Sequence, residues 1–93
     1  MTTLRQHMIE LLRQEELDAI ELSQRLSIPE KEVYAHLPHL VRTLASSHQK
    51  LIISPYLCLV CAFSFSGRNR FDRPGRCPRC KNTHIRMATY TIR

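Results

Sequence analysis

The residues best suited to chemistry are four cysteines, which form two pairs with the same internal spacing. Each pair encloses two residues, and fifteen residues separate the pairs, which are Cys58 with Cys61 and Cys77 with Cys80. A tight turn at this spacing can place both sulfurs on one ion, and zinc prefers four such ligands in a tetrahedron. The pattern therefore predicts one structural Zn²⁺ in a ribbon, because the chain fills all four positions and leaves none for substrate.

Other uses of four cysteines fit the sequence less well. Two disulfides or a redox dithiol would also use four cysteines. The N-terminus lacks the basic-then-apolar order of a signal peptide, so we expect the protein in the cytoplasm. In that reducing compartment, paired cysteines suit a metal better than disulfides. Iron in a rubredoxin-like four-sulfur site is the chemical alternative. Such turns usually carry Gly after the second cysteine, where this chain has Ala62 and Lys81. His84 is near enough to compete as a ligand, but we expect it on the surface.

Two amphipathic helices are predicted at the N-terminus, over residues 3–14 and 18–26. Apolar side chains recur in both at helical intervals, so each helix can bury one face. Thr3 and Asp18 stand at the starts and belong to the residue types that cap helix N-termini. These two segments are expected to support a third helix.

The third helix is predicted to follow Pro29, because its apolar residues form one stripe: Val33, Leu37, Leu40 and Leu44. Pro38 disturbs this pattern, since a proline inside a helix removes one backbone hydrogen bond and costs about 3 kcal/mol relative to Ala. The helix either kinks at Pro38 or ends near Leu37, and the sequence leaves both alternatives open.

Strand patterns replace helical ones in the second half of the chain. Short strands are predicted over residues 50–54, 63–66 and 85–92. We expect 50–54 and 87–92 to pair as a wing with the ribbon at its tip. This divides the chain into a helix-turn-helix domain, residues 1–48, and a region of wing strands and zinc ribbon, residues 49–93.

The helical run from Leu22 to Leu40 resembles the DNA-binding region of winged-helix repressors of the arsenic-repressor and multiple-antibiotic-resistance type. The shared spacing is carried by Leu22, Leu26, Ile28, Val33, His36, Leu37 and Leu40. Ser27 stands where the turn commonly has Gly. With the cysteine pairs, the whole chain looks like the predicted prokaryotic transcriptional regulators that fuse a helix-turn-helix to a zinc ribbon. The resemblance implies an α+β fold, with a three-helix winged-helix-like domain and a small antiparallel zinc ribbon.

Positive charge is concentrated in the C-terminal half. Of the net charge of +6, residues 1–48 contribute −2 and residues 49–93 contribute +8. A polyanion is therefore drawn first to the ribbon, where guanidinium groups suit phosphates and guanine edges. The ribbon residues predicted to contact nucleic acid are Arg68, Arg70, Arg73, Arg76 and Arg79.

The third helix supplies the other predicted contacts, because the second helix of a helix-turn-helix enters the major groove. Its candidates are Lys31, Tyr34, His39 and Arg42. Glu30 and Glu32 stand beside them and oppose phosphate binding. A solvated helix face without a ligand is the alternative for this surface.

The sequence thus predicts a cytoplasmic, non-enzymatic transcriptional regulator that binds double-stranded DNA. One alternative is an adaptor whose ribbon docks on a larger assembly such as RNA polymerase, and another is RNA binding through the basic hairpin. Winged-helix regulators are often dimers, so a homodimer is a further expectation of the resemblance. No membrane association is predicted, since the chain has no run of about 18 apolar residues.

Overall fold

A computed structural model describes residues 3–68 and 70–93, and its first half is formed by three helices. Helix α1 spans Leu4–Gln14, α2 spans Ala19–Leu26 and α3 spans Glu30–Ala45. Thr3 and Asp18 are the N-caps of the first two, and each forms a reciprocal capping box with the third residue of its helix. The predicted helices and both predicted caps are confirmed.

Helix α3 runs without a break through Pro38. The sequence left open whether the helix kinks at Pro38 or ends near Leu37, and the structure excludes an end near Leu37. Pro29 is the N-cap, and its carbonyl accepts a hydrogen bond from the Glu32 amide at 3.0 Å. The four apolar residues of the predicted stripe are all buried, so α3 packs on the core along one face.

The turn between α2 and α3 is closed by Ser27, which ends α2 in the left-handed conformation with φ of 56°. The Ile28 amide donates to the Ser23 carbonyl at 3.1 Å, and the Ser23 hydroxyl donates to the Ile28 carbonyl at 2.5 Å. Ser23 therefore holds the backbone of Ile28 through both its carbonyl and its hydroxyl. This fixes the direction in which α3 leaves α2.

A three-stranded antiparallel sheet lies beside the helices, in the order β1-β5-β2. Its strands are β1 (Leu17–Asp18), β2 (Leu51–Ser54) and β5 (Thr89–Ile92). The predicted wing pairing is confirmed, with Leu51 opposite Ile92 and Ser54 opposite Thr89. The sequence analysis missed β1, because a strand of two residues directly before a helix cap has no readable alternation.

A second, two-stranded sheet belongs to the ribbon and pairs β3 (Leu57–Cys58) with β4 (Ile85–Arg86). Two strand predictions are corrected here. Residues 63–66 form only an isolated bridge between Leu57 and Ser64. The predicted strand 85–92 is two strands, because its first part pairs within the ribbon and its second part within the wing. Alternation along one segment cannot reveal that the segment changes sheets.

The core lies between the helices and the three-stranded sheet. Tyr90 on β5 is 1% exposed and stands opposite both Leu17 and Ile53. The Thr91 hydroxyl donates to the Leu12 carbonyl of α1 at 3.0 Å, which fastens the last strand to the first helix. The division at residue 48 stays a prediction. No helix in residues 3–68 and 70–93 combines the length and the apolar character needed to cross a membrane.

Candidate metal centre and nucleic-acid interface

The two cysteine pairs lie on turns with the same hydrogen-bond pattern. The Ala62 amide donates to the Cys58 carbonyl at 3.0 Å, and the Lys81 amide donates to the Cys77 carbonyl at 2.9 Å. In each turn the amide of the first cysteine also donates, at 2.9 Å, to the carbonyl five residues on. Ala62 and Lys81 have φ of 64° and 63°, so they take the left-handed conformation at the positions where Gly is usual.

The four sulfur atoms converge on one point. All of them lie within 4.8 Å of one another, with Cys58 and Cys80 separated by 3.5 Å and Cys61 and Cys77 by 3.6 Å. A tetrahedral zinc with Zn–S bonds of about 2.3 Å requires sulfur separations of roughly 3.8 Å. The donor set and its dimensions fit one structural zinc ion, as the spacing predicted.

The surroundings of the thiols lower the pKa of Cys58 and raise the pKa of Cys61. The backbone N–H of Cys61 is the main cause that lowers the pKa of Cys58 to about 6, whereas burial raises the pKa of Cys61 to about 12. Four thiolates in one shell repel each other, so full deprotonation requires a cation. Zn²⁺ supplies that charge when bound, and its binding energy then contributes to folding.

Histidine does not enter the cluster. His84 is exposed, and its backbone carbonyl accepts a hydrogen bond from the Leu59 amide at 2.9 Å while its amide donates to Asn82 Oδ1 at 2.8 Å. The metal-ligating group formed by the described residues contains four cysteines and no histidine. His84 therefore lies on the surface, as expected.

Two of the five ribbon arginines are engaged by contacts with other residues of the protein. Arg73 forms a two-pronged ion pair with Glu30 at the start of α3, with N–O distances of 2.6 and 2.7 Å. Arg68 hydrogen-bonds the Asp72 carbonyl, lies 3.7 Å from the Asp72 carboxylate and stacks 5.8 Å from the Tyr56 ring centre. Arg73 thus joins the ribbon to α3, and Arg68 braces its own loop.

The remaining ribbon arginines point outward. Arg70, Arg76 and Arg79 are exposed, and none of them forms a salt bridge with another described residue. Phe65 and Phe71 pack partly buried against the core instead of offering free rings. The ribbon surface that can reach a polyanion is therefore mainly guanidinium.

The four α3 residues predicted to contact nucleic acid differ in their exposure to solvent. Lys31 and Arg42 are exposed, and neither forms a salt bridge with another described residue. The Tyr34 hydroxyl donates to Glu30, and burial raises the Tyr34 pKa, so this side chain is turned toward the ribbon. His39 is partly buried.

Helix α1 contributes a basic residue that the sequence analysis did not select. The Arg5 guanidinium is the first cause that lowers the pKa of His39, ahead of burial, Arg42 and His36. Arg5 also lies 3.4 Å from the His36 ring nitrogen Nδ1. Arg5, His36, His39 and Arg42 therefore form one basic cluster, whose fixed positive charge comes from the two arginines. Arg5 carried no local signal, because its proximity to α3 arises from helix packing alone.

Comparisons with known proteins agree with this architecture. The solution NMR structure of protein PF0610 from Pyrococcus furiosus is 26% identical and superposes with a TM-score of 0.82, covering 97% of this chain and 88% of that chain. No curated protein matches the chain. The family described as PF0610-like, N-terminal matches residues 3–52, from the Thr3 cap through Ile52 in β2. Since that match covers more than half of the sequence, the chain belongs to the PF0610-like, N-terminal family.

Proposed function

We propose that this protein is a DNA-binding transcriptional regulator, with α3 in the major groove and the ribbon on neighbouring phosphates. The observation that carries the proposal is the basic cluster on α1 and α3, in which the exposed Arg5 and Arg42 supply the positive charge around His36 and His39. In a helix-turn-helix this face meets the duplex, and cations at its edges neutralise phosphates and set the register.

The acidic residues at the start of α3 repel DNA phosphates less than the sequence alone indicated. Glu30 is paired with Arg73, and that guanidinium is the main cause that keeps the Glu30 pKa below its ordinary value. The positive guanidinium of Arg73 thus lies 2.6 Å from the Glu30 carboxylate and offsets its negative charge. Among the acidic residues of the first turn, only Glu32 remains exposed.

The ribbon supplies a second contact surface. Arg70, Arg76 and Arg79 present exposed guanidinium groups on a region that carries +8 in sequence. The zinc shell consists of four protein sulfurs with no open position, so we assign the ion a structural role and the protein no enzymatic activity.

Selection of bound duplexes from a random pool, on zinc-loaded protein, tests this function. We expect an enriched sequence whose affinity falls steeply with salt, because each neutralised phosphate changes the slope of log K against log salt by about −0.9. Arg42→Gln should weaken binding and reduce that slope by about one. Arg13→Gln is the matched control, since Arg13 is exposed on α1 outside the basic cluster and bonds Gln49.

The proposal fails if no sequence is enriched and affinity for duplex DNA is equal in the wild type and in Arg42→Gln. An adaptor function is then favoured by a separate observation, since Leu59 and Val60 at the first cysteine turn are 62% and 59% exposed. Exposed apolar residues at a rigid turn suit a protein partner. Co-purification with RNA polymerase that is lost in Leu59→Ser would support that candidate.

A further inference from the structure

An apolar cavity of about 240 Å³ lies between the wing and the ribbon loop and opens to solvent. The described residues that line it include no zinc ligand and no residue of α3. It is therefore separate from the zinc site and from α3, and it shares Arg70 with the ribbon surface described above. Its apolar walls are formed chiefly by Ile53, Tyr56, Phe65, Phe71, Ala88 and Tyr90.

Four aromatic rings define the shape of this cavity. Tyr56 and Phe65 meet edge to face with centres 6.5 Å apart, and Phe71 and Tyr90 are tilted at 56° with centres 6.2 Å apart. Rings in these arrangements offer both faces and edges to a further ring. An apolar cavity of about 150 Å³ is enough to hold benzene. The larger volume here admits one substituted ring or two fused rings.

Charge at the cavity selects for an anion. Arg68 and Arg70 belong to its lining, and no Asp or Glu does among the described residues. Arg68 is held by Asp72 and Tyr56, whereas Arg70 is exposed and forms no salt bridge with a described residue. A free guanidinium at the edge of an aromatic pocket suits a planar acid group.

We propose that this cavity binds a small aromatic anion, with its ring among the aromatic walls and its carboxylate or phosphate on Arg70. A bound molecule would touch strand β2, strand β5 and the ribbon-loop residues 65–68 and 70–71 together. The ligand would then tie the ribbon loop to the wing. This inference does not depend on whether the protein binds DNA.

Benzoate is the first probe, titrated into the zinc-loaded 93-residue protein while backbone amide chemical shifts are recorded. We expect saturable shifts at Gly67, Phe71, Ala88 and Tyr90. Benzyl alcohol has the same ring without the charge, and cyclohexanecarboxylate has the charge without the aromatic ring. Both should bind at least about fivefold more weakly, because each lacks one of the two complementary features. Inorganic phosphate should produce no saturable shift at these four amides.

Variants at exposed positions identify the groups that bind. Arg70→Gln should weaken benzoate about five- to tenfold and leave benzyl alcohol unchanged. Ile53→Trp should block the cavity mouth for every ring compound. Ile52→Trp is the matched control, because Ile52 is equally exposed on the same strand but points to the other sheet face.

The proposal is overturned if benzoate gives no saturable shifts at millimolar concentration, or if benzyl alcohol binds as tightly as benzoate. Unchanged benzoate binding in Arg70→Gln would overturn it equally, as would saturable shifts with phosphate alone. Should Ile53→Trp fail to fold, the comparison of the two ring compounds on Arg70→Gln still decides the matter.

Discussion

Two residues of the zinc turns take a backbone conformation that normally favours glycine. Ala62 and Lys81 have positive φ angles, which cost about 1–2 kcal/mol for a residue with a β-carbon. The conformation lets each amide donate back to the carbonyl of the first cysteine in its pair. The cysteine spacing predicted the zinc ligands, but it does not indicate that the residue after each pair takes a strained backbone conformation.

Lys81→Gly should stabilise the ribbon by about 0.5–1 kcal/mol, since relief of the left-handed conformation exceeds the added freedom of the unfolded chain. In a metal-coupled fold this raises zinc affinity roughly two- to fivefold, measured by competition with a chromogenic chelator. Lys81→Ala is the control, because it removes the ammonium group and keeps the β-carbon. Equal gains in both variants would show that charge, not backbone strain, limits stability.

The basic cluster can be tested through a single titration. His39 has a pKa below its ordinary value, chiefly because of the Arg5 guanidinium. Arg5→Gln should raise that pKa toward 6.5, since it removes the positive charge that lowers it most. The measurement is the pH dependence of the His39 ring signals by NMR. Arg13→Gln on the same helix should leave them unchanged, and an equal response to both variants would rule out a specific Arg5 effect.

At the scale of elements, the helices were predictable because their signals are local. Thr3 and Asp18 mark where helices begin, and the α3 stripe survives Pro38 because four buried residues outweigh one lost hydrogen bond. The strands were less predictable, because β4 and β5 follow each other closely and belong to different sheets. Sheet membership depends on partners that are distant in sequence.

The contact between Glu30 and Arg73 joins α3 to the ribbon across 43 residues. A double-mutant cycle with Glu30→Gln and Arg73→Gln should give a coupling energy of about 0.5–1 kcal/mol at pH 7, since the pair is partly exposed but two-pronged. The readout is urea unfolding of zinc-loaded protein. A coupling of zero would mean that the ion pair adds nothing to the attachment of the ribbon.

Acid should weaken this coupling. The Glu30 pKa is lowered in the folded protein, chiefly by its hydrogen bonds to Arg73. The stabilisation is therefore complete above the unfolded value of 4.5 and is lost as pH falls through the lower folded value. Because acid also protonates the zinc thiolates, the cycle is repeated down to the lowest pH at which zinc stays bound. The coupling should decrease toward that end of the range, whereas a constant coupling would point to packing instead of charge.

At the scale of the whole molecule, the ribbon is inserted between two strands of the wing. Strand β2 ends at Ser54 and its neighbour β5 begins at Thr89, so the ribbon bridges the hairpin that they form. The sequence indicated this insertion, because the cysteines lie between the two predicted wing strands. It could not indicate the cavity between wing and ribbon, whose walls come from separate segments.

Zinc removal should therefore weaken the helical domain as well as the ribbon. Without the ion, residues 55–88 become a flexible loop, and closing a loop of that length costs about 3 kcal/mol. The strand beyond it, β5, carries Tyr90 into the core, so its docking bears that cost. We expect Cys77→Ser to lose zinc and ribbon amide dispersion, to keep most helical circular dichroism, and to melt roughly 10–25 °C lower. His84→Ala is the control and should keep its zinc and its melting temperature. Ribbon amides that stay dispersed in metal-free Cys77→Ser would show that the ribbon folds without the ion.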